Sequence, residues 1–432
     1  MAELRIDPKN ILGKMKPVHG VNNGPVTLNF TQDASRYFRE AGIPFSRLHD
    51  TEYPFGSGEF VDIGCVFPDE NKDPDDPASY NFALTDLYIQ KIRDAGAEVI
   101  YRLGASIEHQ PIKRRIFPPK DNLHWAKVCG GIIAHLNEGW ADGHHMGIRY
   151  WEIWNEPELY DTMWRGTWDQ YFELYTVTAK YLKERFPDIK VGGPASCSSV
   201  NNFTRKFLAH VRQSGAPLDF FSWHGYVSGI GQAVSLITGA RELMKEYGFG
   251  DKESIYDEWN YVKSWQDCDE SFKIIRSIKG AAFNAAMLTV MQQYPVDICT
   301  FYDAQMKFTN AWNGLFEPAP MRLHAGPKQV IPRKPYYPFY AFNRLYKLGS
   351  HVSAEIAGGD NLYALAAAGG KALRCMVTHF SPESAAPVTV KLPDDLGECR
   401  IFLLDDSLNL GETDYAPEIT LPANGMALLE WE

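Results

Sequence analysis

The sequence predicts an α/β fold: a (β/α)8 barrel followed by a small antiparallel β-sandwich. Three observations carry this. Eight strand-like runs alternate with helical segments up to about residue 347, the order expected of parallel strands joined by helical crossovers. No G-x-G-x-x-G follows the first run, which weakens the competing open doubly wound sheet. From residue 348 onward the runs are short and punctuated by Gly, Pro and Asp, which reads as antiparallel β-structure.

The eight barrel strands are expected at residues 17–22, 44–49, 98–103, 148–155, 189–194, 219–226, 254–260 and 297–303. Helical periodicity fills the intervals at 34–41, 84–95 and 122–138. The clearest helix opens at Thr167-Trp168-Asp169-Gln170, which has the spacing of a capping box. Trp168, Tyr171, Leu174, Tyr175, Thr178 and Leu182 then form one stripe, and the helix must stop before Pro187. Later helices are expected at 200–213, 232–247, 272–293 and 337–347. Short strands follow at 362–368, 372–379, 388–392, 399–404, 418–421 and 426–431, with Leu4-Arg5-Ile6 as a possible extra strand. The expected division is a barrel over 12–347 and a sandwich over 348–432 that takes in 1–11. The stretch 50–83 is long for a loop and holds four prolines, so it is expected to shape a substrate pocket.

Composition narrows the function classes. A net charge of −11 offers nothing to neutralise a polyanion, so nucleic acid is excluded as a partner. No run of about eighteen apolar residues exists for a membrane span. Residues 1–16 have no apolar secretory core, and seven cysteines lie scattered without CxxC spacing. A cytoplasmic setting is expected, with no cofactor and no metal; the pair His144-His145 precedes the fourth strand, at the end of the barrel away from the chemistry.

The chemistry is expected at two segments. Tyr150-Trp151-Glu152-Ile153-Trp154-Asn155-Glu156-Pro157 and Tyr256-Asp257-Glu258-Trp259-Asn260 each end a strand-like run in a carboxylate. In such a barrel the C-terminal strand ends converge on the active site. Two carboxylates facing one sugar ring can hydrolyse a glycosidic bond, about 5–5.5 Å apart if configuration is retained. Glu156 suits the acid/base, whose pKa an apolar surround or a second carboxylate would raise, with Trp154 the neighbour expected to supply the former. Glu258 suits the nucleophile, whereas strand alternation would turn Asp257 to the opposite face. Asn155 could donate to a sugar hydroxyl. His224 and Tyr226 end another strand, and a tyrosine hydroxyl near Glu258 would keep it ionised. Arg47, inside a barrel, must find a carboxylate such as Glu152 or Glu258. His49, Asp50, Tyr302, Asp303 and Gln305 close further strands, while Trp259, Trp312 and Tyr101 are possible platforms for the ring.

Together, Trp154-Asn155-Glu156-Pro157, Glu258 and Trp223-His224-Gly225-Tyr226 resemble the clan A glycoside hydrolases. Val18-His19-Gly20-Val21-Asn22-Asn23-Gly24-Pro25, Arg47-Leu48-His49-Asp50 and Lys334-Pro335-Tyr336-Tyr337-Pro338-Phe339-Tyr340-Ala341-Phe342 narrow the resemblance to family 39. It implies a retaining double displacement with Glu156 as acid/base, Glu258 as nucleophile and Asn155 on the 2-hydroxyl. The family's activities include β-xylosidase, α-L-iduronidase and some arabinofuranosidases. No pair of basic residues suited to a uronate stands out, so a neutral terminal sugar on an oligosaccharide is the expected substrate. An endo-acting glycanase of the clan and a catalytically silent sugar-binding barrel are the alternatives.

Overall fold

The computed structural model describes residues 2–27, 32–51, 60–304, 312–317, 328–381 and 385–432. The chain enters as β1 (Ala2–Lys14), then builds a closed parallel barrel from β2 (Gly20–Asn22), β3 (Phe45–Leu48), β4 (Glu98–Leu103), β5 (Tyr150–Ile153), β6 (Lys190–Ser196), β7 (Phe220–Val227), β8 (Glu253–Tyr261) and β9 (Ile298–Phe301). Neighbours in sequence are neighbours in the barrel, and β9 pairs with β2 to close it. Among the described residues, the α-helices of seven residues or more are α1 (Ser35–Ala41), α2 (Ala83–Asp94), α3 (Asn122–Glu138), α4 (Trp168–Arg185), α5 (Asn202–Ser214), α6 (Ile230–Glu246), α7 (Asp269–Ile275), α8 (Ile278–Gln293) and α9 (Tyr337–Tyr346).

Local chemistry explains the helix limits. At α4, Gln170 N donates to Thr167 Oγ1 at 3.2 Å while Thr167 N donates to Gln170 Oε1 at 2.8 Å, which closes the expected box. Such a cap stabilises a helix by about 1 kcal/mol. The single helix expected at 272–293 is two: α7 ends at Ile275, and Ser277 turns extended to cap α8 through Gly280 N. Helix α8 has almost no polar face, because it lies between the barrel and the C-terminal strands and is covered on both sides.

The interior of the barrel is layered. Phe45, Ile100, Tyr150, Phe220, Ile255 and Ile298 form one apolar cluster. Two residues further along each strand, on the same face, stand Arg47, Arg102, Glu152, Ser222, Asp257 and Thr300, all fully buried. A polar tier thus sits directly on an apolar one, toward the strand ends that carry the site.

The C-terminal strands are β10 (Ser350–Ala357), β11 (Leu362–Gly369), β12 (Ala372–His379), β13 (Val388–Lys391), β14 (Arg400–Leu404), β15 (Asn409–Thr413), β16 (Glu418–Leu421) and β17 (Gly425–Trp431). They make one sheet in the order β15-β14-β17-β12-β11-β10-β1-β13-β16. Val390 and Leu421 from one end and Ile401 and Leu429 from the other share one apolar core, so the sheet wraps over itself in two layers. Its other face, with Leu365, Met376 and Leu428, joins the barrel's core. Two details differ from expectation. Leu4 and Ile6 do join the sheet, but β1 pairs parallel with β13. Strands β10 and β15 are additional to the expected set; no residue of β15 is buried, and it lacks an apolar run.

Candidate active site

Arg47 organises the site from β3. Its Nε donates to Glu152 Oε2 at 2.7 Å, Nη1 to Glu258 Oε1 at 2.8 Å and Nη2 to Asn155 Oδ1 at 2.6 Å. Asp257 Oδ2 lies 3.1 Å from Nε, and Nη1 also reaches Asn22 Oδ1 at 3.1 Å. The planar fork of a guanidinium can serve several acceptors at once from one fixed position. Both carboxylates expected to meet it, Glu152 and Glu258, do so.

Strand alternation was a poor guide to Asp257. Counting from Ile255 in the apolar cluster, Asp257 points into the barrel. Glu258 follows it there because β8 bulges: Tyr256 pairs with Trp223 and Glu258 with His224, leaving Asp257 as the extra residue. Both acids therefore face inward. Burial and the adjacent Glu152 charge push Asp257 well above the usual carboxylate range. Glu152 lies below its ordinary value; burial opposes this, and Arg47 with hydrogen bonds from Asp257 and Ser222 outweighs it. One proton is therefore held between two buried acids, on Asp257.

A second departure concerns Trp154. It takes φ +72, a left-handed conformation that breaks the alternation after β5. Its indole turns out of the barrel, donates from Nε1 to Met163 O at 2.8 Å and borders a cavity of about 790 Å³ lined by Trp125, His124 and Phe67. The reversal brings Asn155 into the barrel beside Arg47, and Trp154 is not the apolar neighbour expected for Glu156. Glu156 itself has φ +44.

Glu156 Oε1 lies 2.7 Å from His224 Nδ1, and that nitrogen lies 3.6 Å from Glu258 Oε2. One oxygen of each glutamate and a ring nitrogen of His224 all fall within 4.8 Å of one another. Burial, opposed by Arg47 and aided by Asp50, raises Glu156 to about 8. Burial lowers His224 to about 4, so its ring is neutral at physiological pH. Burial and the neighbouring Glu156 leave Glu258 above its ordinary value as well, but His224, Arg47 and Tyr226 act against them, and Tyr226 donates its hydroxyl to Oε2 at 2.6 Å. With one proton for two neighbouring carboxyls, the donors Arg47 and Tyr226 favour the charge on Glu258 and the proton on Glu156.

The other expected residues divide. His49 Nε2 lies 3.7 Å from Glu258 Oε1 and 3.5 Å from Asp50 Oδ2, and burial holds it well below its ordinary value. Tyr302 donates to Asp50 Oδ2 at 2.8 Å. Trp312 packs on Tyr226 and Tyr302 with centroids at 5.4 and 5.7 Å. Asn155 Nδ2 is buried without a hydrogen-bond partner, so it can donate to a ligand hydroxyl. Trp259 is not a platform: its fully buried ring stacks on Phe339 and meets Phe283 and Phe301, on the helix side of β8. The bulge that turns Glu258 inward sends Trp259 outward. Tyr101 is core as well, stacked on Trp151 with its hydroxyl on Val61 O. Asp303 is buried, and Gln305 lies outside the described residues.

Two contributors escaped the sequence reading. Trp265, 61% exposed in the loop after β8, stands edge-on to Tyr226; its place just beyond the Glu258 strand was the available signal. Asp62 accepts from Arg102 Nη2 at 2.5 Å and from Ser106 N at 2.8 Å, pinning part of the stretch 50–83 to β4. Residues 52–59 of that stretch lie outside the described residues.

Comparison with known proteins bears on the family and the fold. The family described as "Glycosyl hydrolases family 39" matches residues 7–313. A β-xylosidase of Geobacillus stearothermophilus is 34% identical over 118 residues, 27% of this chain and 23% of that protein. The alignment thus spans about a quarter of that relative's length. A glucosidase structure from Croceicoccus marinus superposes with a TM-score of 0.78 at 22% identity, over 100% of this chain and 98% of that one. A monomeric β-xylosidase from Caulobacter crescentus CB15 gives 0.70 at 17% identity, over 99% and 98% of the two chains. At such identities these structures speak to the fold alone.

Proposed function

Because this chain belongs to glycosyl hydrolases family 39, we propose that it is a retaining exo-glycosidase removing a terminal neutral sugar from oligosaccharides. The xylose or arabinose type is favoured, since the sequence relative is a β-xylosidase. One observation carries the reading: two carboxyls with oxygens within 4.8 Å and opposite hydrogen-bonding environments. So close an approach of their oxygens favours the short carboxyl separation of direct attack by one carboxylate over the wide one that admits a water.

In this reading His224 Nδ1–H donates to Glu156 Oε1, and Oε2 carries the catalytic proton. Glu258, held by Arg47 and Tyr226, attacks the anomeric carbon while Glu156 protonates the departing oxygen. A glycosyl ester to Glu258 forms and the C–O bond to the aglycone breaks. Glu156, now a carboxylate, takes a proton from water, which displaces Glu258 and restores the starting state. Asn155 Nδ2 contacts the sugar hydroxyl next to the anomeric carbon; His49, Asp50 and Tyr302 bind other hydroxyls; Trp312 walls the ring. The chain is divided into a catalytic barrel over 12–347 and an accessory sandwich over 348–432 with 1–11. Action on imported oligosaccharides in a reducing cytoplasm accords with seven free cysteines. Among the described residues no helix is long and apolar enough to cross a membrane.

A panel of nitrophenyl glycosides tests the glycone: β-D-xyloside, α-L-arabinofuranoside, β-D-galactoside, β-D-glucoside and β-glucuronide. A single strong signal on a pentoside is expected. Silence on all five, with turnover of a polymeric glycan, would replace this reading with an endo-glycanase.

Glu156→Ala should lose about 10²–10⁴-fold on a substrate with a poor leaving group and far less on a dinitrophenyl glycoside. The activated phenolate departs without protonation, so the ratio of the two rates is the measurement. Added azide should speed the variant and yield a glycosyl azide of retained configuration. An equal loss on both substrates would remove Glu156 from the acid role.

The pH profile follows from the same group. Glu156 must be protonated, so kcat/KM on a poor leaving group should fall as pH rises through about 8. Glu258 must be ionised, so the profile should also fall on the acid side. In Glu156→Gln the alkaline limb should vanish; its persistence would assign it to another group.

A further inference from the structure

On the helix layer outside the barrel, and sharing no residue with the site above, Asp86 of α2 meets His135 of α3 and His144 of the loop after α3. His135 Nε2 lies 3.1 and 3.0 Å from the two carboxylate oxygens of Asp86, and His144 Nε2 lies 3.4 Å from Oδ2. The three donor atoms fall within 4.8 Å of one another.

The geometry of His135 is the telling part. Its Nδ1 lies 3.0 Å from the carbonyl of Trp140, which can only accept, so Nδ1 carries a hydrogen. A neutral ring then turns the lone pair of Nε2 toward the carboxylate of Asp86, and two acceptors face each other at hydrogen-bond distance. A cation between them resolves the conflict, either a second proton on the ring or a metal ion. The metal has the geometry it needs. Bonds of about 2.0–2.1 Å in a tetrahedron place the donors about 3.3 Å apart, and the observed separations bracket that value. A histidine ligand whose other nitrogen donates to a backbone carbonyl is also the usual outer-shell arrangement.

The site is built rather than incidental. The His135 ring stacks face to face on Phe82, centroids 3.6 Å apart with planes 3° from parallel. Gly143 lets the loop close down: a Cβ there would meet His135 O at 2.1 Å and His135 Nδ1 at 2.7 Å. His144 N donates to His135 O at 2.6 Å, fixing the second imidazole beside the first. His135 is buried, whereas the side chains of Asp86 and His144 are 21% and 37% exposed, which leaves an open side for water as fourth ligand.

The geometry points to Asp86, His135 and His144 as a binding site for a divalent transition-metal ion of the zinc class, tying the start of α2 to the end of α3 and its following loop. Two imidazoles and one carboxylate suit zinc and not the all-oxygen cations magnesium and calcium. Sequence spacing gives no hint of this site, because Asp86 lies on another helix, 49 residues before His135.

The test uses the full chain, stripped with EDTA and titrated with zinc chloride, read as melting temperature. A rise of about 3 °C is expected at a hundredfold excess over Kd, reversed by EDTA. Magnesium should give none. His144→Ala and Asp86→Asn should lose the rise, and His145→Ala, beside the site, should keep it. Cobalt(II) should show tetrahedral ligand-field absorption in the parent chain and lose it in His144→Ala. The site is overturned if zinc leaves the melting temperature unchanged, which makes the cation a proton. It is equally overturned if His144→Ala and Asp86→Asn respond like the parent, which moves the metal to the cysteines or to Glu156, His224 and Glu258.

Discussion

Replacing Glu258 with alanine is expected to abolish turnover, by roughly 10⁴-fold or more, on every glycoside regardless of its leaving group. A good leaving group does not help, because the missing part is the atom that forms the bond. This separates Glu258→Ala from Glu156→Ala, whose loss depends on the aglycone. Stereochemistry provides a second separation. Azide filling the space left by Glu258 attacks from the nucleophile's face, opposite the aglycone, so the glycosyl azide should be inverted. Azide in Glu156→Ala enters after the glycosyl ester has formed, from the aglycone's face, and the product is retained. Product anomers are assigned by NMR. A retained azide from Glu258→Ala would exchange the two assignments, and residual activity within a few-fold of the parent would remove Glu258 from the chemistry. Loss through misfolding is excluded by an unchanged melting temperature. Glu258→Gln, which keeps the volume, can still accept from Arg47 and can donate its amide N–H to the Tyr226 hydroxyl, is the companion variant.

The barrel was legible because each of its strands is a short run bounded by helical periodicity, and strand 98–103 has the expected limits. The two catalytic candidates were legible for a different reason: each carboxylate ends an aromatic-rich run at a strand end. What surrounds them was less so. Whether Glu258, Trp154 or Trp259 faces the barrel depends on one inserted residue in β8 and one left-handed residue after β5. Both are backbone departures that strict alternation cannot anticipate, and each reverses the face of every side chain after it. Arg47 could be assigned carboxylate partners because a buried guanidinium has to have them. Asp86, His135 and His144 could not be grouped, since only helix packing brings them together. Strand β15 lacked the buried alternation on which strand recognition relies.

Arg47→Ala is expected to cost about 3–5 kcal/mol of stability and to remove most activity in what still folds. Arg47 is fully buried and is the shared partner of Glu152, Asp257, Glu258 and Asn155. Replacing the pairs with apolar groups throughout could be harmless; removing only the cation leaves several acids together without counter-charge. They can answer only by binding protons, and the sign of the resulting pH effect is fixed. Arg47 lowers Glu152, Glu156 and Glu258, so its loss raises all three. Glu258 then needs a higher pH to ionise, and the acid limb of kcat/KM should move toward neutrality. Arg47→Lys separates charge from shape. It keeps the positive charge, so the limb should move less, but a single ammonium cannot reach Glu152, Glu258 and Asn155 together. Its kcat should therefore fall while its stability loss stays well below that of Arg47→Ala. Urea denaturation and pH profiles of both variants provide the measurement. An Arg47→Ala protein as stable as its parent, with an unmoved acid limb, would mean that Glu152 and Asp257 share no charge that needs Arg47, and that Tyr226 alone keeps Glu258 charged.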